Sequence, residues 1–96
     1  MQGSHTHRKS HHSEQVKQEL ESRLNRIEGQ IRGIRRLIEN NTYCDDVIHQ
    51  ISSVRSALAG VNGLLVENHI KTCVAERLRE DDPDIIDEFI KTIKKL

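Results

Sequence analysis

SEQVKQELESRLNRIEGQIRGIRRLIENN, the stretch at residues 13–41, carries apolar residues at spacings of three and four. These positions are Val16, Leu20, Leu24, Ile27, Ile31, Ile34 and Ile38. Such spacings place the side chains along one stripe of an α-helix. Ser13 is suited to cap the start of this helix, and the pair Asn40 and Asn41 is typical of the turn that ends it. The stretch therefore predicts a long amphipathic helix.

Helical spacing resumes after this turn and continues for more than thirty residues. We expect the second helix to begin around Thr42, whose spacing to Asp45 resembles a capping box. Its apolar positions are Val47, Ile48, Ile51, Val54, Leu58, Val61, Leu65 and Leu78. A helix of this length favours a helical hairpin that packs into a bundle.

A third, short helix is predicted after Asp82 and Pro83, because a capping residue there precedes a proline at the first helical position. Its apolar face consists of Ile85, Ile86, Phe89, Ile90, Ile93 and Leu96. No stretch has the alternating pattern of a β-strand. The sequence therefore predicts an all-α protomer, with two long helices in a hairpin and a short C-terminal helix.

Residues 1–12, MQGSHTHRKSHH, contain four histidines and no apolar periodicity. We expect a disordered, histidine-rich arm at 1–12 and one folded domain at 13–96. A solvated tail is the simpler explanation for the histidines. The alternative is weak metal binding, for which mobile ligands would first have to be ordered.

The composition gives this domain few large side chains with which to build a core. Hydrophobic residues make up 34% of the 96 residues, with one Phe and one Tyr. A monomer of this kind has a thin core, so we expect burial to continue across a subunit interface. Fifteen basic residues balance fifteen acidic ones. Net charge therefore gives no support for nucleic-acid binding, which has to be argued from where the charges lie.

No apolar run approaches the roughly 20 residues needed to span a bilayer, and the first residues lack the apolar core of a signal peptide. We therefore expect no membrane partner and a cytoplasmic location, where thiols stay reduced. Cys44 and Cys73 are then interpreted as metal ligands, reactive thiols or small buried side chains, and not as a disulfide.

His69 and Cys73 lie four residues apart, which places them on one face of the second helix. Cys44 lies near the other end of that helix, roughly 37 Å away at 1.5 Å per residue. One continuous helix cannot bring all three to one ion. An antiparallel pairing of two second helices would bring Cys44 of one chain to His69 and Cys73 of the other. Such a site lies between subunits and occurs in pairs by two-fold symmetry.

Two thiolates and one imidazole favour Cu(I) over hard cations, and three ligands suit trigonal Cu(I). A fourth ligand from His12 would instead favour zinc, nickel or cobalt. The alternative is that His69 and Cys73 share a helix face by chance and bind nothing.

Five arginines are candidates for contacts with DNA: Arg23, Arg26, Arg32, Arg36 and Arg55. Guanidinium groups suit phosphate oxygens, and an oligomer would repeat them over a broad surface. The alternative is a solvated helix face with Glu–Arg pairs. No helix-turn-helix, zinc-finger or ribbon motif occurs, so we expect binding through backbone contacts and DNA shape.

Four segments together carry a family resemblance: RLNRIEGQIRG at 23–33, YCDDVI at 43–48, QISSVRSAL at 50–58 and HIKTCV at 69–74. Over about residues 13–96 the chain resembles the copper-sensing transcriptional repressors of the CsoR family. The resemblance implies an all-α homotetramer built from antiparallel dimers, and no enzyme activity. It also implies that the apo form binds operator double-stranded DNA and that Cu(I) binding releases it, which derepresses copper-efflux genes.

The resemblance assigns the Cu(I) ligands to Cys44, His69 and Cys73, the last two from the neighbouring protomer. Tyr43 and Glu88 match positions that connect the ligand histidine to the third helix, and we expect both to bond to the second ring nitrogen of His69. Arg23 matches a basic residue that contacts DNA. Other members carry a second basic residue where this chain has Gly60, so we expect Arg55 to replace it.

Related branches of the family sense other ligands. Nickel and cobalt sensors use a histidine near the N-terminus, where His12 stands. Formaldehyde sensors lack the second cysteine and persulfide sensors lack the histidine, so the resemblance excludes both. Two further alternatives are a cytosolic copper buffer without a DNA role and a helical interaction module with inert cysteines. No acid–base pair or activated nucleophile indicates an enzyme.

Overall fold

The structure of the chain, a computed structural model, describes residues 10–96. Its elements are α1 (Glu14–Glu39), α2 (Cys44–His69), a π-helical turn (Ile70–Val74), α3 (Ala75–Arg79) and α4 (Ile85–Ile93). No strand occurs between residues 10 and 96, and the predicted all-α class is confirmed. Of the predicted N-terminal arm, residues 1–9 lie outside the described residues, and residues 10–12 precede α1 without helical structure.

Both ends of α1 lie where the sequence predicts them. The Ser13 side chain accepts a hydrogen bond from the amide of Val16 at 3.1 Å. At the other end, Asn41 adopts a left-handed φ of 56°. In this geometry the amide of Asn41 donates to the carbonyl of Ile38. The amide of Thr42 donates to the carbonyl of Leu37. These two bonds satisfy carbonyls that the end of a helix otherwise leaves without donors.

The cap at Ser13 gives a first prediction. Ser13→Ala should lower the free energy of unfolding by about 1 kcal/mol, because the Val16 amide loses its acceptor. Urea denaturation at a fixed protein concentration measures the change. Ser22→Ala is the matched control, since Ser22 is exposed in the middle of α1 and caps nothing. Equal losses in the two variants would contradict a capping role.

The second helix is continuous, as predicted, but it begins later and contains an unpredicted π-helical turn. The residues at both junctions, Ile70 and Val74, have right-handed helical backbone angles, so α2, the turn and α3 form one rod. The predicted capping box from Thr42 to Asp45 is wrong. Tyr43 is the N-cap, without a side-chain hydrogen bond, and the amide of Thr42 bonds to the carbonyl of Leu37 at the end of α1. Such π-turns are often found at functional sites, and this one contains Cys73.

The predicted start of the last helix at Asp82 and Pro83 is also wrong. Helix α4 begins at Ile85, with Asp84 as its N-cap. Asp81 has a left-handed φ of 56°, and the amide of Asp82 bonds to the carbonyl of Arg77, which closes α3. The Asp82 carboxylate accepts the amide of Asp84 at 2.9 Å. Residues 81–84 therefore form a turn between two helices.

Packing within the protomer buries little, as the composition indicates. Helix α1 packs against α2 through a core cluster of Leu20, Ile27, Val54 and Val61. Helix α4 is anchored by Ile85, which is 0% exposed, and Val74 is buried as well. Of the residues that the structure describes, thirteen large apolar or aromatic side chains remain exposed, among them Leu24, Ile31, Ile38, Ile48, Ile51, Leu58, Ile86, Ile90 and Ile93. Within residues 10–96, no helix has both the length and the apolar character that crossing a bilayer requires.

Candidate metal centre

A cleft of about 740 Å³ lies where the end of α2, the π-turn and α3 face α4. The residues that matter for its chemistry are His12, Asn68, His69, Cys73, Arg77 and Glu88. The cleft therefore holds two of the three predicted Cu(I) ligands, the predicted extra ligand, and the acidic residue expected beside the ligand histidine.

His69 and Cys73 are held on adjacent turns of the rod. The His69 ring contacts the ring of Phe89 from α4, with centroids 6.0 Å apart and planes tilted by 37°. Beside Cys73, the hydroxyl of Thr72 donates to the carbonyl of Asn68 at 2.8 Å and lies 3.7 Å from the cysteine sulfur. The sequence pattern predicts that His69 and Cys73 share one helix face, and in the structure both side chains line the same cleft.

Cys44 lies elsewhere in the protomer. It is the first residue of α2, exposed and not in a disulfide, whereas His69 is the last residue of the same helix. Those positions are roughly 37 Å apart along a helix. Tyr43 precedes Cys44, is 74% exposed, and likewise does not line the cleft. Among residues 10–96, no three His, Cys, Asp or Glu side chains lie close enough to hold a metal ion. One described protomer therefore has two of the three predicted ligands near one end of α2 and the third at the opposite end.

His12 reaches the cleft through Asn68, a residue that the sequence reasoning missed. The Asn68 side-chain nitrogen donates to the carbonyl of His11 at 3.2 Å and lies 2.7 Å from His12 Nδ1. Since Asn68 immediately precedes His69, these bonds fix residues 11–12 beside the predicted ligands. The polarity of Asn68 at a helix end gives no sequence signal for a partner more than fifty residues away.

Glu88 lies in the cleft with His69 and is bound by Arg77, which the sequence reasoning also missed. Arg77 Nε donates to Asp82 at 2.7 Å and Nη1 donates to Glu88 at 2.9 Å, while the arginine side chain is only 13% exposed. The hydrogen bond to Asp82, followed by that to Glu88, raises the pKa of Arg77 above its ordinary value, against the opposing effect of burial. A signal existed: Arg77 lies one turn after Cys73 and continues the helix face of the two ligands.

The predicted DNA-binding arginines differ in how they are held. Arg23 Nε pairs with Glu19 at 2.9 Å, and its Nη1 lies 3.0 Å from the position that a Cβ at Gly60 would take. The other four arginines, Arg26, Arg32, Arg36 and Arg55, are exposed. None of these four pairs with a carboxylate of residues 10–96. The alternative of a solvated helix face with Glu–Arg pairs therefore fits Arg23, but not the other four arginines.

An all-α hairpin that has a histidine and a cysteine in one cleft, a second cysteine at the far end of the same helix, and exposed arginines without carboxylate partners within residues 10–96 has the features of a metal-responsive DNA regulator. Residues 16–95 match the family model described as metal-sensitive transcriptional repressor. The chain therefore belongs to the family of metal-sensitive transcriptional repressors.

Two curated relatives are similar over most of the chain. The copper-sensing transcriptional repressor CsoR of Bacillus subtilis (strain 168) is 40% identical over 87 residues, which cover 90% of this chain and 86% of that protein. The copper-sensing transcriptional repressor RicR of Mycobacterium tuberculosis is 45% identical over 74 residues, which cover 77% of each.

Two solved structures share the fold. The copper-sensing repressor CsoR with Cu(I) from Geobacillus thermodenitrificans NG80-2 superposes with a TM-score of 0.83 at 35% identity, over 91% of this chain and 92% of that one. The nickel-responsive transcriptional regulator InrS superposes with a TM-score of 0.72 at 31% identity, over 93% and 98%.

Proposed function

We propose that this protein is a Cu(I)-responsive transcriptional repressor. In the proposed mechanism, the metal-free oligomer binds operator DNA. Cu(I) then binds to Cys44 of one protomer and to His69 and Cys73 of its partner, and the DNA is released. The observation that carries the proposal is the distribution of soft ligands: a histidine and a cysteine share one cleft, while a second cysteine is exposed at the opposite end of the same helix.

The chemistry of the three ligands fits Cu(I). Thiolates are soft ligands and imidazole is intermediate, and a set of three such ligands suits a trigonal Cu(I) site. Cu(I) supplies no reaction here, since it is the regulatory ligand. Cys44 and Cys73 would each bind it as thiolates, and the His69 ring would bind it through one nitrogen. The copper-sensing relatives support the same choice of metal.

Oligomerisation and DNA binding follow from what the protomer leaves exposed. Apolar side chains along α1, α2 and α4 remain accessible in the protomer, and burial against further copies would stabilise an antiparallel dimer and a homotetramer. Arg26, Arg32, Arg36 and Arg55 have no acidic partners within residues 10–96, so they are available for phosphate oxygens.

The proposed function is tested by titrating Cu(I) into a protein–DNA complex. The probe is a fluorescent duplex selected from a randomised DNA library with the metal-free protein, and release is followed by anisotropy. We expect Cu(I) to weaken DNA binding by about 100-fold, within the range of known coupling between sites. A cytosolic copper buffer would bind Cu(I) tightly but would show no salt-dependent retention of duplex DNA at any metal concentration.

A nickel- or cobalt-responsive repressor is the second candidate, favoured by the position of His12. This ring lines the cleft of His69 and Cys73 and is held there by Asn68. With Cys44 of a partner it would complete a set of two sulfurs and two nitrogens, and the second imidazole is a ligand that suits nickel. Titration of Ni(II) in the same assay distinguishes the copper sensor from the nickel sensor. Release of DNA at a lower free concentration of Ni(II) than of Cu(I) would establish the nickel sensor, provided that His12→Ala abolishes this release.

A further inference from the structure

We propose that Arg77 is a positioning residue for the regulatory response, which holds Glu88 and helix α4 against the metal-binding cleft so that metal binding is transmitted to the rest of the protein. This inference rests on the proposed function and adds a residue to it. Arg77 is neither a metal ligand nor a DNA contact in the reasoning above.

The first step is the position of Arg77 along the rod. It lies four residues after Cys73 and eight after His69, so the three side chains follow one another on one face of successive turns. All three line the same cleft as Glu88. A change at Cys73 is therefore about one helical turn from Arg77, and a change at His69 is about two turns from it.

The second step is the geometry of the guanidinium. Its Nε and Nη1 atoms bind carboxylates from two different segments: Asp82 in the turn at 81–84 at 2.7 Å, and Glu88 in α4 at 2.9 Å. The planar fork of arginine can span two acceptors in this way, whereas the single ammonium of lysine cannot reproduce the arrangement. Arg77 thus fixes where the Glu88 carboxylate lies relative to the rod.

The third step concerns the other contacts between α4 and the rod. Ile85 anchors the start of the helix in a fully buried position, and Phe89 contacts the ring of His69 one turn further along. Glu88 is the neighbour of Phe89. A reorientation of the His69 ring on metal binding would therefore displace Phe89 and its neighbour Glu88. The Arg77–Glu88 bond then determines whether α4 moves together with the rod or independently of it.

The charge of the cleft gives an independent reason for an arginine here. Four carboxylates line it, from Glu76, Glu80, Asp82 and Glu88, and Arg77 is the one Arg or Lys among its described lining residues. Cu(I) with two thiolates and a neutral imidazole carries a formal charge of −1. Arg77 Nη2 is buried and has no hydrogen-bond acceptor within residues 10–96. The guanidinium therefore supplies positive charge inside this acidic cleft while it keeps Glu88 in place.

The test compares Arg77→Gln with Asp82→Asn in the Cu(I) titration of the protein–DNA complex. Arg77→Gln removes the Glu88 contact, whereas Asp82→Asn leaves it and disturbs the turn. We expect Arg77→Gln to bind Cu(I), and in the metal-free state DNA, within about threefold of the unmodified protein. The ratio of DNA dissociation constants with and without Cu(I) should nevertheless fall about tenfold or more, while Asp82→Asn keeps it within about threefold.

Three further variants make the result decisive. Glu88→Gln should lower the ratio of DNA dissociation constants by the same factor as Arg77→Gln. The double variant Arg77→Gln/Glu88→Gln should lower it no further than either single variant, because both residues act through one contact. If Arg77→Gln does not fold, Glu88→Gln and Arg77→Lys carry the test, and the lysine variant should keep an intermediate ratio. An undiminished ratio in the Arg77 variants, or equal losses in Arg77→Gln and Asp82→Asn, would overturn the inference. If the unmodified protein is not released from DNA by Cu(I), the proposed function itself has failed.

Discussion

An equal mixture of Cys44→Ala and Cys73→Ala proteins is expected to regain complete Cu(I) sites, although neither variant alone has one. Each variant lacks one thiolate in every site, so each should lose at least about 100-fold in Cu(I) affinity. In a mixed antiparallel dimer, however, the Cys73→Ala chain supplies Cys44 while the Cys44→Ala chain supplies His69 and Cys73. One of the two sites in that dimer is then complete and the other has neither cysteine.

Random pairing makes about half of the dimers mixed, so the mixture should hold about a quarter of the sites of the unmodified protein. The subunits are exchanged by refolding the two variants together from urea, and sites are counted by competition with a chromophoric Cu(I) chelator. The two variants refolded separately and then combined serve as the control. Recovery of no sites after joint refolding would contradict a site shared between subunits.

The parts of the fold that the sequence predicted correctly are those set by local interactions. The Ser13 cap, the apolar stripe of α1 and the turn at Asn40 and Asn41 each depend on residues within five positions of one another. The start of α4 could not be predicted in this way. Asp82 has the side chain of a helix cap, but Arg77 binds its carboxylate, and the preceding residue closes α3. Which of two helices takes this short segment depends on how the first helix ends, and the pattern of the second helix alone does not contain that information.

The same distinction applies to the candidate metal centre. The spacing of His69 and Cys73 predicts a shared face, and the distance to Cys44 predicts a second chain, since both follow from helical rise and periodicity. The bond from Asn68 to His12 and the pairing of Arg77 with Glu88 join segments whose separation in sequence has no such regularity. The π-turn at Ile70–Val74 was missed because its residues have the composition of an ordinary helix.

His69→Ala is expected to separate Cu(I) binding from DNA release. Two thiolates still hold Cu(I) after the imidazole is removed, so affinity should fall by about tenfold, much less than on loss of a cysteine. The link to α4 should be lost almost completely, because the ring that contacts Phe89 and shares a cleft with Glu88 is gone. At saturating Cu(I), we expect the variant to change its DNA affinity by less than about threefold, against about 100-fold for the unmodified protein.

The measurement is anisotropy of the labelled duplex, with Cu(I) occupancy determined on the same sample so that weak binding is not mistaken for a failed response. His49→Ala is the matched control, because His49 lies in α2 with an exposed side chain away from the cleft. Cu(I) should release this control variant from DNA as it releases the unmodified protein. If copper-saturated His69→Ala leaves the DNA as the unmodified protein does, the histidine is only a ligand. The response would then have to pass through the two sulfurs, in which case the shared cysteine site would stand without the connection to α4.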